Sequence, residues 1–554
     1  MKKDFAKSCV YQIYPKSFRD TTGNGYGDLN GVTEKLDYIK ELGVDYIWMT
    51  PFFISPQNDN GYDVQDYYHI DPLFGTMEDL DRLIAEAQRR DIGLMFDMVF
   101  NHTSTSHEWF VKAVAGEKKY QDYYIFRDGK EDGPPTNWIS KFGGNAWAFE
   151  EHVGRYYLHL FDRTQADLNW ENPEVREEIK NILRFWKGKG IRGFRFDVIN
   201  LISKPLVYED DTQGDGRSFY TDGPRIHEYL REMVEDCGLD AEDIITVGEM
   251  SSTTMDHCIR YSNPDEKQLK MCFNFHHLKV DYKDGDKWSL MPYDFPKLKE
   301  LLHTWQKGMA DGNGWSAVFW NNHDQPRAVS RFGDDQNYRK ESAKMLATVV
   351  HGMRGTPYIY QGEEIGMTNA YFTSIDQYRD VESIHYYDIL KSRGMSEAEV
   401  YETLRARSRD NSRTPMQWSG APGGGFTDGT PWIELTHNYD TVNVTESLAD
   451  QDSIFYYYQK LIRLRKDYEV ISRGDYTPVE TGADKVFAYQ RRHEGTTLTV
   501  YCSFSGEERT IPLEPETAAG RYLIGNYGEL AAADGLLRLR PYEAVMILSG
   551  LAAQ

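Results

Sequence analysis

Cysteine is scarce in this chain, with 5 residues among 554. The five are scattered, odd in number and never spaced as CxxC, which argues against a disulfide framework or a zinc site. We expect each to be a small buried apolar residue, in keeping with a reducing compartment. They are Cys9, Cys237, Cys258, Cys272 and Cys502.

Long apolar runs are also missing. No stretch approaches the ~18 residues that a membrane-spanning helix needs. Residues 1–15 begin with Lys2 and Lys3 but have no apolar segment behind them. The sequence therefore predicts neither a membrane anchor nor a signal peptide, and we expect a cytoplasmic protein.

Positive charge is outnumbered by negative charge. Lys and Arg total 63 against 87 for Asp and Glu, which gives a net charge of -24. Nucleic acids and anionic membranes both require a basic surface, so we expect neither as a partner. An anionic small molecule is not excluded, because net charge governs long-range steering rather than what one pocket binds.

Short apolar strands alternate with helices over the first two-thirds of the chain. Hydrophobic residues make up 40% of the sequence, enough for a large core. Strands buried on both faces and separated by helices indicate a parallel sheet, and eight of them favour a (β/α)₈ TIM barrel, an α/β fold. The predicted strands are 10–14, 44–49, 92–100, 193–197, 244–249, 271–275, 317–321 and 358–361.

Two polar stretches interrupt this alternation, and a strand-rich tail follows it. Residues 102–170 are predicted to form an inserted subdomain after strand 3, and 371–435 a second insertion. The tail is predicted to be an all-β sandwich. The predicted domains are 1–101 (barrel, first part), 102–170 (subdomain B), 171–474 (barrel, second part) and 475–554 (C-terminal β domain).

Polar side chains end several of the predicted strands. In a parallel barrel, functional groups lie where the strands end at their carboxyl edge. Each alone could cap the following helix, but several acids at one edge repel one another and are costly unless function requires them. The residues are Asn101, His102, Asp197, Glu249, His323 and Asp324, with Asp63 on the loop after strand 2.

Arg195 and Asp197 stand two apart on one strand and therefore point to the same face. The cation is expected to lower the pKa of Asp197, which suits a nucleophile that must stay ionised, although a purely structural buried ion pair would look the same. Glu249 has no basic sequence neighbour and is suited to act as a general acid. Two carboxylates that flank a bond, in aromatic-rich surroundings, are typical of a glycoside hydrolase.

Four segments of the chain resemble the signature regions of the α-amylase family of glycoside hydrolases. They are DMVFNH (97–102), GFRFD (193–197), VGE (247–249) and NHD (322–324). The resemblance extends from about residue 5 to 545. It implies Asp197 as nucleophile, Glu249 as general acid/base and Asp324 as stabiliser of the transition state.

The same resemblance implies a set of sugar-binding residues. Arg413 resembles the arginine that, with the Asp63 equivalent, holds the non-reducing end of the sugar, which implies a pocket and exo action. Gln165 matches the oligo-1,6-glucosidase subgroup. The implied sugar contacts are Tyr62, Asp63, His102, Gln165, Arg195, His323 and Arg413.

Within this subgroup, three segments look more like the trehalose-6-phosphate hydrolases. They are 215–225 (DGRSFYTDGPR), 247–254 (VGEMSSTT) and 275–282 (FHHLKVDY). Lys279 follows strand 6 and is the first candidate for a 6-phosphate on the leaving glucose, since charge-assisted contacts contribute roughly 1.5–3 kcal/mol each. The weaker candidates, each of which could be a solvated surface group, are His276, Lys287, Lys283, Arg217 and Arg225.

Three alternatives remain open. The chain could be an oligo-1,6-glucosidase or α-glucosidase on neutral sugars. It could also transfer or isomerise sugars, since water and sugar acceptors share the glycosyl-enzyme intermediate. A catalytically silent binding subunit is disfavoured, because all three acids are present. The oligomeric state is left open.

The loop from Asp20 to Asp28 resembles the calcium loop of oligo-1,6-glucosidases, and no organic cofactor is implied. Oxygen ligands punctuated by glycines suit one structural Ca²⁺. The alternative is a tight turn that needs positive φ values. The candidate ligands are Asp20, Thr22, Asn24, Tyr26 and Asp28.

Overall fold

A computed structural model describes residues 3–131 and 133–550 of the chain. In these residues the strands are β1 (Val10–Ile13), β2 (Tyr46–Met49), β3 (Phe53–Ile54), β4 (Asp66–Ile70), β5 (Gly93–Val99), β6 (His102–Ser104), β7 (Phe126–Arg127), β8 (Trp147–Glu150), β9 (Arg155–Leu158), β10 (Gln165–Asp167), β11 (Gly193–Asp197), β12 (Ile245–Glu249), β13 (Met271–Phe273), β14 (Ala317–Val318), β15 (Thr356–Tyr360), β16 (Asp475–Pro478), β17 (Val486–His493), β18 (Thr496–Ser503), β19 (Arg509–Pro512), β20 (Arg521–Gly525), β21 (Ala532–Ala533), β22 (Leu536–Leu539) and β23 (Ala544–Ser549).

The α-helices of the same residues lie mostly between the barrel strands. They are α1 (Leu29–Glu34), α2 (Leu36–Leu42), α3 (Met77–Arg89), α4 (Glu108–Val114), α5 (Lys118–Gln121), α6 (Pro173–Gly188), α7 (Arg217–Tyr220), α8 (Ile226–Cys237), α9 (Met255–Ser262), α10 (Phe295–Asp311), α11 (Ala328–Phe332), α12 (Arg339–Gly352), α13 (Val381–Ser392), α14 (Glu397–Arg407), α15 (Asp410–Arg413), α16 (Val444–Ala449), α17 (Ile454–Asp467), α18 (Glu469–Arg473) and α19 (Pro515–Ala518). None of the helices in the described part of the chain is both long and apolar enough to cross a membrane.

The chain divides into two compact units. The first contains Trp48–Arg89 and Gly93–Phe275. The second contains residues 3–47, 90–92 and 276–550 of the described chain. Strand β2 runs across the division, because Tyr46 and Ile47 belong to the second unit and Trp48 and Met49 to the first.

In the first unit, parallel strands lie in the order β13-β12-β11-β5-β2. Strand β11 sets the register: Arg195 lies beside Asp97 on one side and beside Val247 on the other. Both β11 and β12 are buried along their whole length, as near-continuous apolar runs predict for a parallel sheet. The polar residues at their ends are therefore presented from a rigid edge.

The segment predicted as subdomain B also lies in the first unit. Antiparallel strands β7-β9-β8 form a small sheet, and β6 pairs with β10. Aromatic and aliphatic side chains form its core, with Trp138 and Leu158 completely buried. Residues 102–170 therefore pack around an apolar cluster to which Val198, Leu201 and Tyr220 also contribute.

In the second unit the parallel order continues as β2-β1-β15-β14. Val10 of β1 lies beside Tyr358 of β15. The first barrel strand in the chain is therefore the neighbour of the last. This adjacency of the first and last strands is the topology of a (β/α)₈ barrel. The remaining paired barrel strands follow one another along the chain.

The C-terminal residues of the second unit form antiparallel sheets. One has the order β16-β17-β18-β23-β20 and the other β19-β22-β21. Side chains from both sheets share one core, among them Val486, Ile511, Leu537 and Val545. Two sheets that share a core are a sandwich, as the alternating pattern after residue 475 predicts.

The predicted fold class, a (β/α)₈ barrel with an insertion after strand 3 and a C-terminal β domain, is confirmed. All eight predicted barrel strands are present, as β1, β2, β5, β11, β12, β13, β14 and β15. The exact domain boundaries stay predictions.

Candidate active site

A single buried guanidinium holds three carboxylates in the first unit. Arg195 donates from Nη1 to Asp97 Oδ1 and to Asp197 Oδ1, both at 2.7 Å, and from Nη2 to Glu249 Oε2 at 2.5 Å. We call these four residues the Arg195 cluster. Charge-assisted hydrogen bonds of this kind fix the orientation of the carboxylates.

The strand register explains how the Arg195 cluster assembles. Residues two apart on a strand point to the same face, so Arg195 and Asp197 are directed to one side of β11. Asp97 stands opposite Arg195 on β5, and Glu249 ends β12. The planar guanidinium also lies 5.0 Å from the Trp48 ring, which limits its freedom to turn.

The charges of the Arg195 cluster do not balance. Burial raises the pKa of Asp197 above its ordinary value; Arg195 opposes this, but the charges of Glu249 and Asp97 add to it. Burial likewise raises the pKa of Asp97 to about 6. Arg195 does lower the pKa of Asp197, as predicted, but burial and the charges of Glu249 and Asp97 outweigh it, so the net shift is upward.

Asp197 and Glu249 interact directly. A hydrogen bond between them favours the protonated form of Asp197. The backbone N–H of Val198, next to Asp197, donates to Glu249 Oε2 at 3.2 Å. The two carboxyl groups that a double displacement requires therefore lie side by side.

Four further predicted sugar contacts lie in the first unit. Tyr62 donates its hydroxyl to Asp97 Oδ2 at 2.9 Å. His102 lies within 3.2 Å of the Tyr62 carbonyl and 3.3 Å of Gln165 Nε2. Burial lowers the pKa of His102 to about 4, so its imidazole is neutral at pH 7. Tyr62, His102 and Gln165 thus form one connected group beside the Arg195 cluster.

Asp63 is held by its own loop. It accepts hydrogen bonds from the Ser55 hydroxyl at 3.0 Å and from the backbone N–H groups of Asn58 and Asp59. Burial raises the pKa of Asp63, and the three donors oppose that shift. Its predicted partnership with Arg413 stays a prediction.

A second group of buried charges lies in the second unit. Arg413 donates to Asp324 Oδ1 at 2.8 Å, and Arg409 approaches the same oxygen at 3.4 Å. Arg409 also donates twice to Asp380 Oδ1, at 2.9 and 2.6 Å. We call Asp324, Asp380, Arg409 and Arg413 the Asp380 cluster. Arg409 also lies 3.6 Å from Glu382 Oε2, so the two guanidinium groups here face three carboxylates.

His323, in the segment after strand β14, contacts Gln12 of strand β1. Its Nδ1 lies 2.8 Å from the Gln12 side-chain nitrogen, and its carbonyl accepts from Arg413 Nε at 3.1 Å. Its Nε2 is 3.2 Å from Asp324 Oδ2. The structure thus brings together His323, Asp324 and Arg413, three of the predicted site residues of the second unit.

The predicted phosphate ligands differ in their surroundings. Lys279 is exposed, directly after a 3₁₀ turn, and its N–H donates to the His276 carbonyl. The His276 ring packs 4.7 Å from Trp305. Lys287 is bound to Glu382 at 2.6 Å and lies over the Trp288 ring. A phosphate on Lys287 would have to compete with that carboxylate.

The loop predicted to hold calcium is satisfied by its own donors. Asp20 accepts from the backbone of Thr22, Gly23 and Gly25 and from the Thr427 hydroxyl. Asp28 accepts from Thr21 and Gly31, and Asn24 from Tyr26. Among residues 3–131 and 133–550 no group of three or more His, Cys, Asp or Glu residues could hold a metal. This arrangement fits a tight turn better than a metal site, and calcium binding stays a prediction.

Sequence reasoning assigned no role to Asp97, Arg409 or Asp380. Asp97 carried a signal, because it is an acid inside an otherwise apolar strand. Arg409 and Asp380 carried none, since they are 29 residues apart and meet only through the fold. Asn200 was also missed: its side-chain amide pairs with both backbone groups of Ser251.

Comparison with known proteins supplies the context for this site. The family model described as "Alpha amylase, catalytic domain" matches residues 12–474. The trehalose-6-phosphate hydrolase of Bacillus subtilis is 56% identical over 548 residues, covering 98% of this chain and 97% of that protein. The oligo-1,6-glucosidase of Bacillus cereus is 47% identical over 554 residues, covering 98% and 99%.

A solved structure agrees over nearly the whole chain. The crystal structure of Bacillus licheniformis trehalose-6-phosphate hydrolase superposes with a TM-score of 0.94 at 53% identity, covering 99% of this chain and 100% of that one. The similarity therefore includes the barrel, the insertion and the C-terminal domain.

Proposed function

This chain belongs to the α-amylase family of glycoside hydrolases, and we propose that it is an enzyme that hydrolyses α,α-trehalose 6-phosphate to glucose and glucose 6-phosphate. The carboxylate pair Asp197 and Glu249, bound to the two terminal nitrogens of Arg195, carries the chemical part of the proposal. Full-length similarity to trehalose-6-phosphate hydrolases supports the substrate.

In the first step Glu249 protonates the oxygen between the two glucose rings while Asp197 attacks the anomeric carbon. The C–O bond to glucose 6-phosphate breaks, and an ester bond to Asp197 forms. Glu249 supplies the proton in this step and Asp197 must be ionised, because a protonated Asp197 is no nucleophile. Arg195 supports this state, since it donates to Asp197 and stabilises its anionic form.

In the second step water replaces glucose 6-phosphate. Glu249, now a carboxylate, takes a proton from the water. The water oxygen attacks the anomeric carbon of the glycosyl-enzyme, and the ester bond to Asp197 breaks. Glucose leaves with its anomeric configuration retained. Retaining glycosidases hold their two carboxyl groups about 5–5.5 Å apart, and attachment to one guanidinium supports that spacing.

Asp324 and the sugar contacts complete the proposal. The family roles assign Asp324 to the developing positive charge on the sugar ring, and Arg413, which binds Asp324, to the non-reducing end. In the first unit, the neutral imidazole of His102 is suited to hydrogen-bond a sugar hydroxyl. A pocket closed at the non-reducing end would make the enzyme exo-acting.

The phosphate is assigned first to Lys279. The chain carries a net charge of -24, so long-range attraction of an anion is not expected. Local cations must then provide the binding energy, and Lys279 is an exposed lysine with a long, flexible stem. Because sugar phosphates occur inside cells, we propose a cytoplasmic enzyme whose substrate is a small molecule.

A second candidate function is an oligo-1,6-glucosidase on neutral sugars. The observation in its favour is 47% identity over the full chain to the oligo-1,6-glucosidase of Bacillus cereus. Both functions use the same three acids. They differ only in the binding of the leaving group.

A substrate panel tests the proposal. We expect kcat/KM for trehalose 6-phosphate to exceed that for trehalose, isomaltose and sucrose by roughly 10- to 100-fold or more, the worth of one or two charge-assisted contacts. NMR of the first-released glucose should give the α anomer. A preference for isomaltose would instead select the second candidate, and release of the β anomer would contradict retention.

Lys279→Ala examines the phosphate assignment. Its KM for trehalose 6-phosphate should rise by about 10-fold or more, while kcat/KM for a neutral substrate stays nearly constant. Lys297→Ala is a matched control, because Lys297 is an exposed lysine paired with Glu300. Equal losses on both substrates would show that Lys279 does not bind phosphate.

A further inference from the structure

Lys141 extends from the inserted segment to the loop that follows Glu249. Its ammonium group donates to the Ser251 hydroxyl at 3.0 Å and lies 5.7 Å from the Tyr220 ring. The side chain is neither fully buried nor fully exposed. Lys141 and Ser251 are 110 residues apart, so no local pattern in the sequence indicates this contact.

The backbone around Lys141 is fixed. Its own N–H donates to the Leu160 carbonyl at 2.8 Å. On one side, the Ser140 hydroxyl donates to the Phe161 carbonyl at 2.6 Å. On the other, the Phe142 ring packs against the Phe161 ring at 5.6 Å. The stem of Lys141 therefore starts from a rigid point, and only its methylene groups and ammonium remain adjustable.

Ser251 is fixed as firmly. The Asn200 side chain accepts from the Ser251 N–H at 2.8 Å and donates to the Ser251 carbonyl at 2.9 Å. Asn200 itself is completely buried and three residues after Asp197. The Ser251 hydroxyl thus stands at a set position relative to both Asp197 and Glu249.

Two connections lead from Lys141 toward the Arg195 cluster. Its hydrogen-bond partner Ser251 follows Glu249 by two residues. Its chain neighbour Phe142 packs on Phe161, whose ring lies 5.3 Å from that of His102. Two residues of chain span at most about 7 Å, comparable to the width of one sugar ring.

The chemistry of the pair suits a phosphate. A hydroxyl that accepts from an ammonium group still has its own hydrogen to donate. Lys141 and Ser251 together therefore present ammonium and hydroxyl donors side by side, and phosphate oxygens are acceptors only. The Arg195 cluster carries three acids for one cation, so an anionic leaving group next to it needs a further positive charge.

From this geometry we infer that Lys141 and Ser251 form a binding site for the 6-phosphate of the leaving glucose. The inference rests on the proposed function, because Glu249 protonates the leaving oxygen and groups beyond Glu249 then face the leaving sugar. The cation of this site, Lys141, belongs to the inserted segment. Specificity for a phosphorylated leaving group would then be set partly by subdomain B.

The test compares Lys141→Met on two substrates. Methionine keeps most of the stem and removes the charge. We expect kcat/KM for trehalose 6-phosphate to fall about 10- to 100-fold, and kcat/KM for a chromogenic aryl α-glucoside to change less than about threefold. Lys141→Arg should recover part of the loss, and Ser251→Ala should lose less than Lys141→Met.

Lys130→Met is the matched control. Lys130 belongs to the same inserted segment, is half-exposed and pairs with Asp210 at 2.6 Å. It should leave both substrates unaffected. If Lys141→Met lowers both activities equally, or neither, the inference is overturned, because a structural tie between the two segments predicts no distinction between substrates. If Lys141→Met does not fold, the ratio of kcat/KM for trehalose 6-phosphate to kcat/KM for the aryl α-glucoside is measured in Lys141→Arg and Ser251→Ala instead. An unchanged ratio in both variants would overturn the inference.

A separate measurement distinguishes failure of this inference from failure of the proposed function. Glucose 6-phosphate and inorganic phosphate are used as inhibitors of aryl α-glucoside hydrolysis. Their inhibition constants should rise about 10-fold in Lys141→Met, while that of glucose stays constant. A wild type with no preference for trehalose 6-phosphate would contradict the proposed function. Unchanged inhibition in the variant would contradict the phosphate site alone.

Discussion

Two buried charge clusters of this chain use the same kinds of residue and reach opposite electrostatic states. In the Arg195 cluster one guanidinium serves three carboxylates, and burial together with carboxylate repulsion raises the pKa of Asp197. In the Asp380 cluster two guanidiniums face three carboxylates, counting Glu382 beside Arg409. Burial alone would raise the pKa of Asp380, but Arg409 and Arg413 outweigh it and hold that pKa below its ordinary value.

The difference shows that burial does not decide protonation on its own. Asp97 and Asp380 are both almost completely buried, yet their pKa values move in opposite directions. The ratio of cations to carboxylates decides the direction. In the Arg195 cluster the pKa of Asp197 is raised, so this carboxyl group can gain or lose a proton during a reaction. In the Asp380 cluster the arginines keep Asp380 ionised.

The largest expected effect is on the rate. Asp197→Asn should lower kcat by about 10⁴-fold or more, because the amide cannot form the glycosyl-enzyme. Its thermal unfolding temperature should stay equal or rise, since one of three repelling carboxylates loses its charge. The exposed control Asp240→Asn should change neither quantity. Residual activity above a few per cent would refute Asp197 as nucleophile.

The corresponding change in the Asp380 cluster should affect stability. Asp380→Asn keeps the side-chain cap of helix α13 but removes the buried carboxylate that accepts two hydrogen bonds from Arg409. We expect the free energy of unfolding to fall by about 3–5 kcal/mol. Chemical denaturation measures it, with the exposed Asp376→Asn as control. A loss no larger than that of the control would mean that the two clusters do not differ as described.

The pH dependence of that stability follows from the sign of the shift. The pKa of Asp380 is lower in the folded protein than in the unfolded chain. Its contribution is therefore complete well above the unfolded value near 3.8, declines as the pH falls below that value, and is fully lost only below the folded pKa. The unfolding temperatures of wild type and Asp380→Asn should differ most above pH 5, and the difference should shrink steadily below about pH 4. A constant difference across this range would contradict the assignment.

The smallest expected effect is a displacement of the pH–rate profile. The charge of Asp97 helps to raise the pKa of Asp197, which must be ionised to attack. Asp97→Asn removes that charge, so the acid limb of kcat/KM should move to lower pH even if the maximal rate falls. Asp240→Asn should leave the limb in place. Movement to higher pH would show that the loss of hydrogen bonding to Arg195 dominates.

The barrel was predictable because its signals are local. Each of the eight strands is an apolar run of a few residues, and helix α6 begins at an Asn172 cap followed by Pro173. The same holds for Asp197 and Glu249, which stand at strand ends within recognisable segments. The predicted effect of Arg195 on Asp197 was right, but the net shift is upward because of burial and of Asp97 and Glu249, which lie 98 and 54 residues from Arg195.

The sequence alone determined the fold class, the residue types at the strand ends and the resemblance to a glycoside hydrolase family, since all three depend on short-range patterns. Only the tertiary structure decided which charges share a neighbour. It joined three acids to Arg195, matched Asp380 with two arginines and brought Lys141 to Ser251. Electrostatic energies depend on distances in space and on burial, and neither can be obtained from the spacing of residues along the chain.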